Sequence, residues 1–175
     1  MSDFNVAVPQ DELDAKPNFL MPAGWYSTTL GAGAQTVKND NGWGGVRVPF
    51  AGFTARDGKT FDKERNYQIT TKSDNAQAKS IGAKQAVELA AAFGLAEETT
   101  INGKPAKRLT ATGTTPEEFW ENFVAQLGGV AGSPCDVYVT VKPRKRDGKP
   151  VMKDDGSGPV QDNEISRVAP LGQGK

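Results

Sequence analysis

The chain has 175 residues, 21 basic against 21 acidic for a formal net charge of zero, no histidine and a single cysteine. That composition excludes His-based acid–base catalysis, a Cys–His dyad and every His/Cys zinc framework. The length suits one domain that removes roughly 70% of its unfolded surface from water, with no disulfide or metal staple.

At zero net charge, any case for nucleic-acid binding rests on where the charges lie. They are unevenly placed. The segment through Lys16 holds Asp3, Asp11, Glu12 and Asp14 against one cation, whereas residues 142–149 hold five cations against Asp147. No apolar run approaches the roughly 20 residues of a membrane span, and the N-terminus lacks a basic region followed by an apolar one. The expectation is a reducing cytoplasm without membrane contact.

Residues 1–23 mix polar residues with Pro9, Pro17 and Pro22 and read as an arm, docked by Phe19, Leu20 and Met21. Gly24–Leu30, rich in aromatic and β-branched residues, reads as the first strand. Gly31, Gly33 and the run Asn39-Asp40-Asn41-Gly42 punctuate the stretch between it and Trp43. From Trp43 to Phe53 one parity collects Val46, Val48 and Phe50 and the other Trp43, Arg47 and Pro49, which predicts a strand with one buried face. Pro49 argues there for an edge or a bulge. Asp57-Gly58 is a hairpin signal leading into a third strand over Thr60–Thr71. Its faces are ambiguous, because Phe61, Tyr67 and Ile69 share a side with Lys63 and Arg65.

A helix comes next, from Asp74 or Asn75 to Phe93, with Ile81, Val87, Leu89 and Ala90 among its apolar positions and Gly94 as its stop. A polar connection runs through Asn102-Gly103. Thr115-Pro116-Glu117-Glu118 then starts a second helix with a capping box and proline at the first helical position. Phe119, Trp120, Phe123, Val124 and Leu127 recur at helical spacing until Gly128-Gly129.

The last section reads as a strand at Pro134–Pro143, a turn at Asp147-Gly148, a short return over Pro150–Met152, a polar loop, and a strand at Asn163–Val168. This order predicts a β-rich α+β fold: an OB-like, partly open five-stranded barrel with a helical insertion between strands 3 and 4. A β-sandwich with a helical layer is the alternative. The expected division is an arm at 1–23, one domain at 24–169 and a short flexible tail at 170–175.

In the strand at Pro134–Pro143, Cys135, Val137, Val139 and Val141 form an apolar side, and Tyr138, Thr140, Lys142 and Arg144 form the other. Single-strand binders need aromatic faces for bases and a positive groove for phosphates. Tyr138 is the first stacking candidate and Trp43, flanked by glycines, the second. Arg47, Lys142, Arg144, Lys145, Arg146, Lys149 and Arg167 are the phosphate candidates. The bland alternatives are a solvated basic turn and aromatics that serve as core. Cys135 reads as a small buried hydrophobe. Asp154-Asp155 and Glu117-Glu118 do not make a two-metal site by adjacency, and no phosphate-cradling glycine loop appears. Neither catalysis, a metal nor a cofactor is expected.

Leu20-Met21-Pro22-Ala23-Gly24-Trp25-Tyr26, Ala90-Ala91-Ala92-Phe93-Gly94-Leu95, Arg146-Asp147-Gly148-Lys149 and Asn163-Glu164-Ile165-Ser166-Arg167 together carry a likeness. The chain resembles, over residues 20–169, a phage family of unknown function found among replication and recombination genes and regarded as OB-like single-stranded-DNA-binding proteins. The resemblance implies single-stranded DNA as ligand, little sequence specificity, work in the host bacterial cytoplasm, and phage recombinase or replication proteins as partners. Self-assembly stays open, and no catalytic residue transfers. One departure is the end of the chain, Pro170–Lys175, which is not the acidic recruiting peptide of bacterial single-strand binders. The rival reading is a phage accessory protein that binds a host or phage protein through the aromatic helix at Thr115–Leu127 or the N-terminal arm.

Overall fold

The computed structural model describes residues 20–174 together with Val6, Ala7, Pro9 and Gln10. Phe19 and the early acidic run lie outside the described residues, so the arm is seen only at its junction. There Met21 is fully buried, and the Asn163 side chain clamps its backbone, accepting from its N–H at 2.8 Å and donating to its carbonyl at 2.7 Å. The Tyr26 hydroxyl donates to the Pro22 carbonyl at 2.5 Å.

Among the described residues, six strands form one antiparallel sheet. They are β1 (Gly24–Leu30), β2 (Gln35–Lys38), β3 (Gly44–Ala55), β4 (Thr60–Lys72), β7 (Pro134–Pro143) and β10 (Gln161–Pro170). β10 pairs with β7, β7 with β1, and β1 with β3, while β4 covers the other edge of β3. Residues 44–47 of β3 pair with both β2 and β4, so β2 continues the line of β1 along one edge. β4 and β10 approach each other and both pack against α1 (Ala76–Ala92). Among the described residues no strand pairing joins them, so the sheet curls without closing. The result is a β-rich α+β fold.

The register of β3 shifts between Ala51 and Phe53, close to the expected bulge, while Pro49 lies in a strand paired on both sides, which corrects the expectation of an edge. Its missing N–H falls where the β1–β2 line breaks, and its carbonyl accepts the Gly31 N–H there at 2.9 Å. No ladder bond is lost, so a central strand tolerates it.

The Asn75 side chain caps α1 by accepting from the N–H of Gln77 and Ala78. At the other end Gly94 has φ 73°, the Leu95 N–H reaches the Ala90 carbonyl and the Gly94 N–H the Ala91 carbonyl, a Schellman stop. Gly82, Ala86, Leu89 and Ala90 form its buried stripe. Ile81, read as apolar contact, is 48% exposed. α2 (Pro116–Gly129) is capped by Thr115, whose hydroxyl accepts the Glu118 N–H at 3.1 Å.

Between the helices, β5 (Ala96–Ile101) and β6 (Lys104–Leu109) form a hairpin where the sequence suggested only a polar connection. Asn102 and Gly103 both take positive φ, 52° and 77°, the turn that suits a two-residue hairpin. No residue named in either strand is buried, so no alternation announced it. A second small hairpin joins β8 (Lys145–Arg146) to β9 (Lys149–Pro150) around Asp147-Gly148. The core is one cluster: inward residues of β1, β3, β4, β7 and β10, with Met21, Leu89 of α1, and Phe123 and Leu127 of α2.

Candidate nucleic-acid interface

The alternation read in β7 holds, with Cys135, Val137 and Val139 fully buried and Tyr138, Thr140 and Lys142 on the outer side. Pairing with β10 then sets carboxylates among the cations. Lys142 Nζ lies 3.2 Å from Glu164 Oε1, and Arg144 grips Asp162 with Nε and Nη2 at 2.9 and 2.8 Å. These hydrogen bonds hold the Arg144 guanidinium above its ordinary pKa and the Asp162 carboxyl below its own. Arg167 Nε lies 2.9 Å from Glu88 Oε2 of α1, whose other oxygen accepts the Val168 N–H at the irregularity in β10. Exposed pairs of this kind add little stability, but each cation already has a counter-charge. The outer row is therefore a mixed surface in which the cations of β7 face the carboxylates of β10.

Beyond it, Lys145, Arg146 and Lys149 stand exposed on the β8–β9 hairpin, in no ion pair among the described residues. The hairpin is anchored at its root, where the Arg144 N–H donates to Val160 and the Val151 N–H to Arg144.

Tyr138 is half-buried, its ring edge-on to Trp25 at 5.5 Å and 76°. Its neighbour Asp136 has no exposed surface although it points to the outer side. Its carboxylate accepts from Arg56 Nη2 at 2.8 Å, from the N–H groups of Gly172 and Gly174 at 2.9 Å each, and from the Ser27 hydroxyl at 3.2 Å. Arg56 also donates to the Gly174 carbonyl, and Gly174 lies so close over the Trp25 ring that a Cβ there would overlap it. Gly172 and Gly174, read as part of a flexible tail, are thus strapped to this face, with Gly174 across Trp25. Trp25, the ring partner of Tyr138, is covered by the strap on one side.

Trp43 lies elsewhere. The Asn39 side chain accepts the N–H groups of Asn41 and Trp43, and Gly42 takes φ 83°, which fixes the turn before β3. The indole N–H donates to Thr70 Oγ1 of β4 at 3.1 Å, and the ring lies against Gly45, where a Cβ would come within 2.7 Å of it. Trp43 and Trp120 line one cleft of about 720 Å³, with Lys38 of β2, Lys72 of β4, Lys79 of α1, and Glu117 and Glu121 of α2. Arg47, half-buried, stands further along β3 opposite Gln35 and Gln68.

The nine sequence-derived candidates therefore fall into separate places. Gly24 pairs with Val139 near the hairpin end, and Lys38 pairs with Gly44 beside the cleft. Trp43 and the basic hairpin accordingly sit toward opposite ends of the β1–β2 line, which rises roughly 3.3 Å per residue where extended. Lys38, Lys72 and Lys79 had no local signal, and Trp120 was read only within the aromatic helix, since four elements bring these residues together. Phe123 of the aromatic helix is fully buried and Phe119 and Trp120 pack partly against the core. Among the described residues no cluster of His, Cys, Asp or Glu could hold a metal ion, and no helix is long and apolar enough to cross a membrane. No family model matches the chain, and no similar curated protein was found.

Proposed function

We propose that this protein is a non-enzymatic, OB-like single-stranded-DNA-binding protein acting in phage replication or recombination in the host bacterial cytoplasm. It binds by stacking and phosphate neutralisation. The observation that supports this reading is the position of Trp43 and of three basic residues on two loops of a β4-β3-β1-β7-β10 sheet with its helices inserted after β4. Trp43 sits on the connection between the β1–β2 line and β3, and Lys145, Arg146 and Lys149 on the connection between β7 and β10. In barrels of the OB type, the loops after the first and fourth strands bind oligonucleotides along with the open face. The phage assignment rests on the resemblance carried by residues 20–26, 90–95, 146–149 and 163–167, of which the clamp between Met21 and Asn163 brings the first and last together.

The test is a fluorescence-anisotropy titration of a labelled oligo-dT at low and moderate salt, with duplex competitor. Tight, salt-sensitive binding selective for single strands is expected. No binding at low salt overturns the reading.

A further inference from the structure

The Trp43 cleft has a mixed charge pattern with a chemical direction. Lys38, Lys72 and Lys79 enter it from β2, β4 and α1, while Glu117, Trp120 and Glu121 come from α2, spaced to share one helix face. None of these five charges is ion-paired among the described residues. The Trp43 N–H is already committed to Thr70, so the indole offers a ligand its ring rather than a hydrogen bond. The absence of a side chain at Gly45 makes room for the ring against β3. At about 720 Å³ the cleft falls within the roughly 300–1,000 Å³ of small-ligand sites.

We infer that this cleft holds one unstacked nucleotide of a single strand. The base lies on Trp43 beside Trp120, the flanking phosphates lie on Lys38, Lys72 and Lys79, and the base edge turns to Glu117 and Glu121. The inference rests on the single-strand reading above and gives it a base-holding site. The charge pattern selects the occupant. An anion alone meets two carboxylates and a cation alone meets three lysines, whereas a nucleotide carries phosphate at one end and hydrogen-bond donors at the other. Carboxylates suit the N4 amine of cytosine and oppose the O4 acceptor of thymine, so amino-bearing bases are favoured.

The experiment titrates the full chain with labelled oligo-dC and oligo-dT of equal length across salt. Lys38→Ala/Lys72→Ala/Lys79→Ala replaces exposed side chains, and circular dichroism verifies its fold. It should lower the slope of log affinity against log salt by about 2, at about 0.7 per phosphate contact. Trp43→Leu should weaken binding about ten- to hundredfold at unchanged slope. The parent should bind oligo-dC several-fold tighter than oligo-dT, and Glu117→Gln/Glu121→Gln should bring the two together.

If the parent binds and the lysine variant matches it in affinity and slope, the cleft assignment falls while the single-strand reading survives. Equal affinity of the parent for both oligonucleotides overturns the orientation of the base. If the parent binds neither at low salt, both readings fall together.

Discussion

Gly82 of α1 packs so closely on the Thr70 carbonyl of β4 that a Cβ at that position would overlap it. Thr70 also holds the Trp43 indole through its hydroxyl, and Lys79, one turn before Gly82, reaches the cleft. The glycine thus sets how near α1 lies to the sheet and where two cleft residues stand. Helix propensity alone makes Gly82→Ala stabilising by about 1 kcal/mol. The overlap is with backbone, which cannot swing aside, and overpacking costs about 1–3 kcal/mol or more. Net destabilisation in urea is expected, with a shift in tryptophan emission. A midpoint at or above the parent's would place α1 farther from β4.

Local signals specify local structure here. Asn75, Thr115-Pro116 and the Asp-Gly turns act within a few residues, and their helices and turns form where they were read, although the return after Asp147-Gly148 pairs at Lys149–Pro150 rather than Pro150–Met152. β7 was legible because one of its faces meets the core. The β5–β6 hairpin was not, since its faces meet mainly water and its strands do not alternate. The candidate site suffered from the same limit. Strand parity put Tyr138, Lys142 and Arg144 outside, but only the register with β10 shows the carboxylates opposite them. Asp136 shares that parity, and only the returning strap explains why its carboxylate has no exposed surface.

Arg56→Ala tests the strap. Asp136 is fully buried, and removing one partner of a buried pair costs about 3–5 kcal/mol. Here the Arg56 side chain is 47% exposed and the carboxylate keeps its two amide donors and Ser27, so a loss of about 1–3 kcal/mol is expected. The amides of Gly172 and Gly174 should exchange faster in Asp136→Ala, which removes their acceptor. Unchanged exchange would mean that the strap is held by other contacts.

The cations separate by their pairing. Lys145→Ala/Arg146→Ala/Lys149→Ala removes charges without local counter-ions, so the salt slope for single-stranded DNA should fall by about 2, at about 0.7 per contact. Lys142→Ala/Arg144→Ala leaves Glu164 and Asp162 unmatched and should weaken binding through added repulsion. Restoring neutrality with Glu164→Gln/Asp162→Asn in that background should recover most of the loss. Failure to recover it would make Lys142 and Arg144 direct phosphate contacts.

The alkaline limb of stability reports on the core beneath the site. Burial pushes the Cys135 thiol up from 9.0 to about 12, and burial followed by the nearby Glu88 charge raises the Tyr67 hydroxyl above its ordinary 10.0. Both groups lose protons more readily when unfolded. Stability is therefore full below pH 9 and declines as pH rises from there toward 12. Urea midpoints at pH 7 and pH 10.5 should differ, and Cys135→Ala should narrow the gap while lowering the neutral midpoint through a small cavity. Tyr67→Phe should behave oppositely at neutral pH. The Tyr67 hydroxyl is buried with no hydrogen-bond partner among the described residues, so removing it should stabilise the fold by about 1 kcal/mol and flatten the alkaline decline. A destabilised Tyr67→Phe would show that the hydroxyl has a hydrogen-bond partner in solution.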